Sequence, residues 1–275
     1  MIRRTVGRVG IAVSAVAVGL FAVFPFLWMI LTSVKPRPEI LTATPIFIPS
    51  ELVLERYVDV LRRGFATYLR NSLIVAVTTT VAGVSVAALA GYSLARFKLP
   101  LRRYLVLVVL STQMFPIAAL IIPLFIVMRN LGLLDSLLGL VVTYMAFTTP
   151  LSIWILRGFF LGIPEELEEA AMVDGATRVG AMLRVVLPLA GPGLAAVGVF
   201  AFIAAWREFF VALTFITDEQ TYTLPVALAR FEGLAHIDWG GIMAASVLFT
   251  LPVVVFFLFV HRRLTQGMIA GSVKG

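Results

Sequence analysis

Six long apolar stretches, separated by shorter intervals that carry most of the charges, make up most of this chain. A run of about 20 predominantly apolar residues is long enough to cross a bilayer as an α-helix. We therefore predict an all-α integral membrane protein with six transmembrane helices. Their expected positions are about residues 9–32, 71–95, 104–128, 137–156, 194–216 and 241–260.

Basic residues beside the apolar stretches indicate the orientation of the chain. Arg96, Lys98, Arg102 and Arg103 follow the second stretch with no acid between them, and residues 1–8 contain arginines but no acid. Short loops rich in arginine and lysine stay in the cytoplasm. Both termini are therefore predicted to be cytoplasmic. The first apolar stretch is longer than the core of a cleaved signal peptide, so we interpret it as an uncleaved helix.

Prolines and one amphipathic segment predict irregularities between and within the spans. Pro116 and Pro123 lie in the third stretch, and a proline inside a helix removes a backbone hydrogen bond and kinks the helix. The polar interval before the second stretch ends in residues 51–63, whose apolar positions have helical spacing. We predict an amphipathic helix there, lying on the outer membrane face as a packing strap.

The composition supports a membrane protein and narrows its chemistry. The 275 residues are 60% apolar and 13% charged, against about 25% charged residues in a soluble domain. Without cysteine, disulfides and thiolate metal sites are excluded, and the two distant histidines, His236 and His261, predict no metal site. The net charge of +7 fits cytoplasmic loops and anionic lipid better than nucleic acid. The P-loop signature for nucleotide binding does not occur.

The polar interval 163–192 separates the fourth and fifth apolar stretches. Pro164 suits the first position of a helix, and the glutamates that follow interact favourably with the helix dipole. Gly175 can adopt the left-handed conformation that ends a helix. Thr177 is a suitable N-cap for a second short helix, and Pro188, with a further proline after it, is predicted to stop that helix.

This interval therefore predicts a cytoplasmic helix–turn–helix. Its first helix has little side-chain bulk at Ala170 and Ala171. Two interpretations follow from the residues alone: a solvated hairpin between two spans, or a helix that docks closely into the groove of a partner.

A spaced motif within this hairpin resembles a known family. Glu169-Ala170-Ala171, then Gly175, then Val185-x-Leu187-Pro188 resemble the EAA motif of ABC importer permeases, with every fixed spacing kept. Val185 stands where isoleucine is more usual. The resemblance extends over nearly the whole chain and is closest to the maltose-type carbohydrate permease subunits. It also includes Asn71-Ser72, Met114-Phe115-Pro116, Pro123-Leu124-Phe125, a Trp-x-Glu segment at 206–208 and the ending 271–275.

The resemblance implies that the hairpin carries a coupling helix, which enters a cleft of a separate ATPase subunit. Glu169 would meet a basic group there, the two alanines would allow close approach, and Gly175 would make the turn. In such subunits the C-terminal tail, residues 261–275 here, reaches between the ATPases. The residues expected to couple to the ATPase are Glu169, Ala170, Ala171, Asp174, Gly175, Pro188 and Lys274.

The same resemblance implies the partners and the cargo. Residues 1–275 would form a single permease domain that pairs with a homologous permease subunit as a heterodimer. Two ATPase subunits and an extracytoplasmic solute-binding protein would complete the importer. ATP and magnesium would bind to the ATPases, and this chain would bind no cofactor and no nucleic acid. The location would be a bacterial or archaeal cytoplasmic membrane, in contact with lipid, and the solute a sugar or oligosaccharide.

Trp206, Arg207 and Glu208 place two charged side chains in the fifth predicted span. Glu208 would lie about 20 Å into a core that is about 30 Å thick. Charged groups at such depth usually face a cavity or a partner helix. Two interpretations stay open: these three residues line a transport pathway with Gln113 and Tyr144, or they form a structural contact between helices.

Three alternatives to a sugar permease are left open. Arg207 stands where the family usually has asparagine, and a cation there favours an anionic solute such as a glycerol phosphate. An intramembrane enzyme acting on lipid-linked substrates would need clustered acid–base or metal-binding residues, but the acids near the inner face lack a neighbouring histidine or cysteine. A secondary transporter would need more ionisable groups in its spans.

Overall fold

The structure is a computed structural model that describes residues 2–230 and 237–272, with side chains for residues 11–230 and 237–261. Helices form the secondary structure of these ranges, and no β-strand occurs in them, so the all-α prediction is confirmed. Two compact units are present: Met1–Ala66 with Ala227–Leu251, and Thr67–Val226 with Pro252–Gly275.

Most helices follow one another with short connections, and a longer one, residues 41–54, joins the second helix to the third. In chain order they are α1 Ile2–Val34, α2 Arg37–Ile40, α3 Glu55–Val60, a π-helical turn Leu61–Phe65, α4 Ala66–Arg96, α5 Arg102–Ser111, a 3-10 turn Thr112–Met114, α6 Ile117–Asn130, α7 Leu137–Leu161, α8 Glu165–Val173, α9 Arg178–Ala181, a π-helical turn Met182–Val186, α10 Leu187–Leu189, α11 Gly191–Trp206, α12 Phe210–Phe215, a 3-10 turn Glu219–Thr221, α13 Leu224–Ala229 and α14 Trp239–Ser272.

Several of these helices can cross a membrane by length and composition. Four continuous helical segments do so: Ile11–Val34, Glu55–Arg96, which contains α3, the π-helical turn and α4, Leu137–Leu161 and Trp239–His261. Two bent pairs raise the number to as many as six if each pair counts as one span: Arg102–Met114 with Ile117–Asn130, and Arg178–Leu189 with Gly191–Trp206. The protein is therefore a multi-pass membrane protein.

The third apolar stretch is not the single kinked helix that the sequence predicts. It forms α5 and α6, which meet at an angle of 101°. Phe115 is extended (φ −83°, ψ 124°), because a residue before a proline is driven out of the helical region. Pro123 lies inside α6 without ending it. One proline thus breaks the helix, while the other is accommodated.

The fifth apolar stretch is also interrupted, contrary to the prediction of one helix over 194–216. The helix α11 begins earlier, at Gly191, and ends at Trp206, and α12 follows only from Phe210. Pro188 does not stop the preceding helix, because helical turns continue to Leu189. The chain instead bends by 77° at this junction, where Ala190 lies between the helices.

In the unit formed by Met1–Ala66 and Ala227–Leu251, the predicted amphipathic segment is shorter than expected. Its helix starts at Glu55 and ends at Val60, and Gly64 has a φ of +85° in the turn that leads to α4. Arg56 and Val60 are buried, whereas the apolar residues Val58 and Leu61 are exposed. This segment is tied to the end of α1, since the Tyr57 hydroxyl lies 2.7 Å from the Ser33 hydroxyl.

In the other unit, α4 approaches α7 closely at Gly91. A Cβ atom at Gly91 would lie 3.1 Å from the backbone of Ile153 and Arg157, so glycine permits the close approach of the two helices. The second arm of the hairpin, which runs from α9 to α10, and α11 pack on the same cluster. Its buried members are Ala87, Ala88, Tyr92, Ala95, Leu156, Phe160, Met182, Val186, Ala190 and Val197.

Candidate coupling hairpin and transport cavity

The hairpin between α7 and α11 has the local geometry that the sequence predicts. Gly175 has a φ of +90°, and the Ala176 N–H donates to the Ala171 carbonyl, which closes the end of α8. The Thr177 hydroxyl accepts a hydrogen bond from the Gly180 N–H at 3.1 Å and caps the second arm. Pro164 is the residue before α8 rather than its first residue. The two arms and the turn are thus defined by short-range interactions.

One face of α8 is uncovered in this chain. Glu169 and Ala170 are exposed, Val173 is 87% exposed, and Asp174 is exposed at the helix end. Ala171 is half-buried. The exposed face carries little side-chain bulk beside a carboxylate, which is a shape that a groove in a partner can accept.

The opposite face of α8 is held by α4. Glu168 is buried, and its carboxylate lies 3.0 Å from Arg96 Nε, at the end of α4. The Tyr92 hydroxyl donates to the other oxygen of the same carboxylate. In the sequence Glu168 is one of several acids at a helix start, and no local pattern separates it from its neighbours.

The second arm packs inward. Met182 and Val186 are buried in the core cluster, and Leu187 packs against it. Val185 is half-buried, and Pro188 is exposed. Lys274, the remaining predicted coupling residue, lies outside the described residues.

A cavity of about 380 Å³ lies beside the break between α11 and α12. Three of the five predicted pathway residues line it: Tyr144, Arg207 and Glu208. Gln113 lies next to it, because its side-chain amide donates to the carbonyl of Phe147, a lining residue, at 3.1 Å. Trp206 does not line this cavity; it is 2% exposed and stacks on Phe202 at 5.7 Å.

Glu208 organises the helix break that forms this cavity. One carboxylate oxygen accepts from the Val211 N–H at 3.0 Å, and the other from the Ala212 N–H at 3.2 Å. The second oxygen also accepts from the Tyr144 hydroxyl at 2.7 Å. The carboxylate therefore supplies acceptors for the unpaired N–H groups at the start of α12.

Arg207 contrasts with its neighbour. Its side chain is exposed and lines the cavity. In the part of the chain that the structure describes, no carboxylate lies within 4.0 Å of its guanidinium group.

Hydrogen bonds between distant residues and the segment 215–224 were not predicted from the sequence. Asp135 accepts hydrogen bonds from the backbone N–H groups of Thr217 and Asp218, which lower the pKa of its carboxyl. The Asn71 amide donates to the carbonyls of Gln220 and Tyr222 at 2.8 and 3.0 Å. These partners are far apart in sequence, so only the Asn71-Ser72 element of the resemblance points to them.

Comparison with known proteins identifies the family. The family model described as "Binding-protein-dependent transport system inner membrane component" matches residues 80–270. The chain belongs to this family. It is a membrane-embedded transport subunit of an ABC importer rather than an enzyme, and the family implies ATPase and solute-binding partners.

Two full-length relatives and one solved structure agree with this assignment. The chain is 37% identical over 276 residues to the diacetylchitobiose uptake system permease protein of Streptomyces coelicolor, covering 100% of each chain. It is 38% identical over 272 residues to the trehalose/maltose transport system permease protein of Thermococcus litoralis, covering 98% of this chain and 97% of that protein.

The solved structure is the crystal structure of a bacterial ABC transporter involved in the import of the acidic polysaccharide alginate. One of its chains matches with a TM-score of 0.81 at 25% identity, covering 94% of this chain and 96% of that chain. The expected membership of the ABC importer permeases is thereby confirmed.

Proposed function

We propose that this permease subunit, driven by separate ATPase subunits that dock on its hairpin, carries a sugar or oligosaccharide across a bacterial or archaeal cytoplasmic membrane. The observation that carries the proposal is α8, a short helix whose exposed face combines Glu169 with Ala170 at the end of a hairpin built into the core. The named cargo of the two relatives, diacetylchitobiose and trehalose/maltose, supports a carbohydrate.

The proposed topology has six spans with both termini in the cytoplasm. Each bent helix pair would count as one span, and the basic interval after α4 would lie in the cytoplasm. The hairpin then faces the cytoplasm, where ATP is hydrolysed.

The proposed assembly contains this chain, a homologous permease subunit, two ATPase subunits and an extracytoplasmic solute-binding protein. ATP and magnesium bind to the ATPases, and this chain binds no cofactor. Glu169, Ala170, Ala171, Asp174 and Gly175 form the ATPase contact, with Pro188 in the second arm and Lys274 in the tail. Lipid surrounds the complex, and nucleic acid has no part in it.

The proposed pathway passes the cavity at the helix break. Broken helices in transporters place free backbone groups and polar side chains at the substrate site. The cavity here has that character, since Glu208, Arg207 and Tyr144 line it together with Phe147, Phe209 and Phe210. Rings and hydrogen-bonding groups suit the apolar faces and hydroxyl groups of a sugar.

Uptake by right-side-out vesicles that contain ATP tests the function. The chain is expressed with its ATPases, partner permease and binding protein, and accumulation of radiolabelled trehalose, maltose and diacetylchitobiose is measured. We expect uptake that requires ATP and the binding protein. Uptake that persists without ATP, or that follows a proton or sodium gradient, contradicts the proposal.

A second candidate cargo is an anionic solute, such as an acidic saccharide or a glycerol phosphate. Arg207 supports it, because its guanidinium group lines the cavity without a carboxylate partner among the described residues. The alginate importer provides a related fold with an acidic cargo.

Arg207→Asn separates the two cargo classes. If the solute is anionic, we expect its uptake to fall by about tenfold or more, the effect of losing about 1.4 kcal/mol of charge-assisted binding. Neutral sugar uptake should change little. The measurement is competition between labelled neutral and acidic oligosaccharides, and an unchanged preference in this variant contradicts the anionic candidate.

A further inference from the structure

The end of α4 and the inner face of α8 share a buried polar contact that the ATPase interface does not explain. Arg96 is the last residue of α4, and its side chain is only 4% exposed. Its Nε lies 3.0 Å from Glu168 Oε2, and its Nη2 donates to the Ile163 carbonyl at 2.9 Å. One guanidinium group thus binds both the start of the hairpin and α8.

Tyr92 completes this contact from the preceding turn of α4. It lies four residues before Arg96, so the two side chains share one face of the helix. Its hydroxyl donates to Glu168 Oε1, and its ring packs edge-on against Phe160 at 6.0 Å and Phe97 at 6.2 Å. Both oxygens of the Glu168 carboxylate therefore have donors from α4.

The other acids of α8 contact the end of α4 less closely than Glu168 does. Glu168 is the one buried residue of this helix. Glu165 is 63% exposed and only approaches Arg96, at 3.8 Å. Glu166 is exposed on the same helix.

A buried ion pair adds little stability compared with an apolar contact. Separating its two partners, however, leaves a buried charge without compensation, so the pair favours one relative position of the two helices.

The two faces of α8 thus have different partners. The face with Glu169 and Ala170 is exposed and available to an ATPase, and the face with Glu168 is fixed to α4. A displacement of α8 by a partner must either move the end of α4 or break the two hydrogen bonds that Tyr92 and Arg96 donate to Glu168.

We propose that Glu168, Arg96 and Tyr92 form a latch that transmits the displacement of the coupling helix to α4. These are positioning residues, and the inference rests on the proposed coupling of α8 to an ATPase. The latch makes α4 move with the hairpin on nucleotide binding, although the two are far apart in sequence.

A reporter on α4 tests this transmission in the assembled transporter. The chain has no cysteine, so Leu89→Cys, at a position 59% exposed, gives one labelling site in this subunit. With cysteine-free partners, the spectral shift of an environment-sensitive fluorophore is measured on adding ATP and magnesium to the complex in proteoliposomes. The shift is normalised to the amount of assembled complex.

Glu168→Ala removes both acceptors while keeping a strong helix former in α8. We expect this variant still to bind the ATPase. Its nucleotide-dependent shift should be at least about fivefold smaller than that of the wild type, which is the size of effect that the loss of an allosteric coupling has. Glu166→Ala is the matched control and should keep the full shift. Tyr92→Phe keeps the ring packing, so it reports on the latch even where Glu168→Ala does not assemble; its shift should also fall.

The outcomes are distinguishable. A wild-type chain that binds no ATPase overturns the proposed function and the latch with it. If the Tyr92→Phe and Glu168→Ala variants both assemble with the ATPase and both give the wild-type shift, the latch is wrong and the proposed function stands. A normalised shift lost in both variants and kept in Glu166→Ala supports it.

Discussion

Replacing Ala170 with tryptophan is expected to abolish copurification of the ATPase while leaving the subunit folded. Ala170 is exposed on α8, so we expect the larger side chain to leave the fold of this subunit intact. In the proposed complex the same position enters a close-fitting groove, where the indole would hold the surfaces apart. We expect the association to weaken by roughly 30-fold or more, the effect of about 2 kcal/mol at an interface hot spot.

Ala170→Ser is the matched control for this substitution. Serine adds one oxygen at the same exposed position and should keep both ATPase binding and ATP-dependent uptake. The measurements are the ATPase-to-permease ratio after affinity purification and the thermal unfolding of the purified subunit. Full ATPase binding and uptake by the tryptophan variant would exclude this face of α8 from the interface.

The features that the sequence predicts well are those set by short-range interactions. Apolar stretches of about 20 residues give the spans, because every backbone group in a bilayer must be paired within its helix or with a neighbour. Gly175 and Thr177 are also predicted correctly, since a left-handed turn and an N-cap depend on residues within one helical turn.

The helix breaks were harder to predict, because the apolar pattern continues across them. Residues 207–209 end α11 without a proline, and the break is stabilised by Glu208 and by Tyr144 from another helix. At Pro116 a kink was expected, but the sequence does not indicate that the two halves would diverge by 101°. The angle of a bend depends on which new hydrogen-bond partners the backbone N–H and carbonyl groups at the break find, and these partners lie in other parts of the chain.

Contacts between distant residues could not be predicted from one sequence. The sequence assigns Arg96 and Glu168 to separate features, a basic loop that indicates orientation and an acidic helix start. Their ion pair depends on the packing of α4 against α7 and the hairpin, which brings residues 72 positions apart within 3.0 Å. The Trp-x-Glu spacing groups Trp206 with Glu208, but the indole is buried and does not line the cavity.

Glu208→Ala is expected to impair both stability and uptake, because one carboxylate serves three donors at the helix break. Without it the N–H groups of Val211 and Ala212 lose their side-chain acceptor, and the Tyr144 hydroxyl loses its partner. Buried donors left unpaired destabilise a protein by about 1–3 kcal/mol each, so we expect a loss of about 2 kcal/mol or more. The measurement is thermal unfolding of the assembled transporter.

The same substitution should reduce solute uptake by roughly tenfold or more, since about 1.4 kcal/mol of lost binding or positioning has that effect. Tyr144→Phe removes only one of the three hydrogen bonds and should have a smaller effect on both quantities. Arg207→Asn, on the adjacent exposed residue, should leave the thermal midpoint unchanged, because Arg207 has no ion-pair partner among the described residues. If Glu208→Ala keeps wild-type stability and wild-type uptake, the carboxylate does not hold the helix break, and the cavity beside it is not the transport pathway.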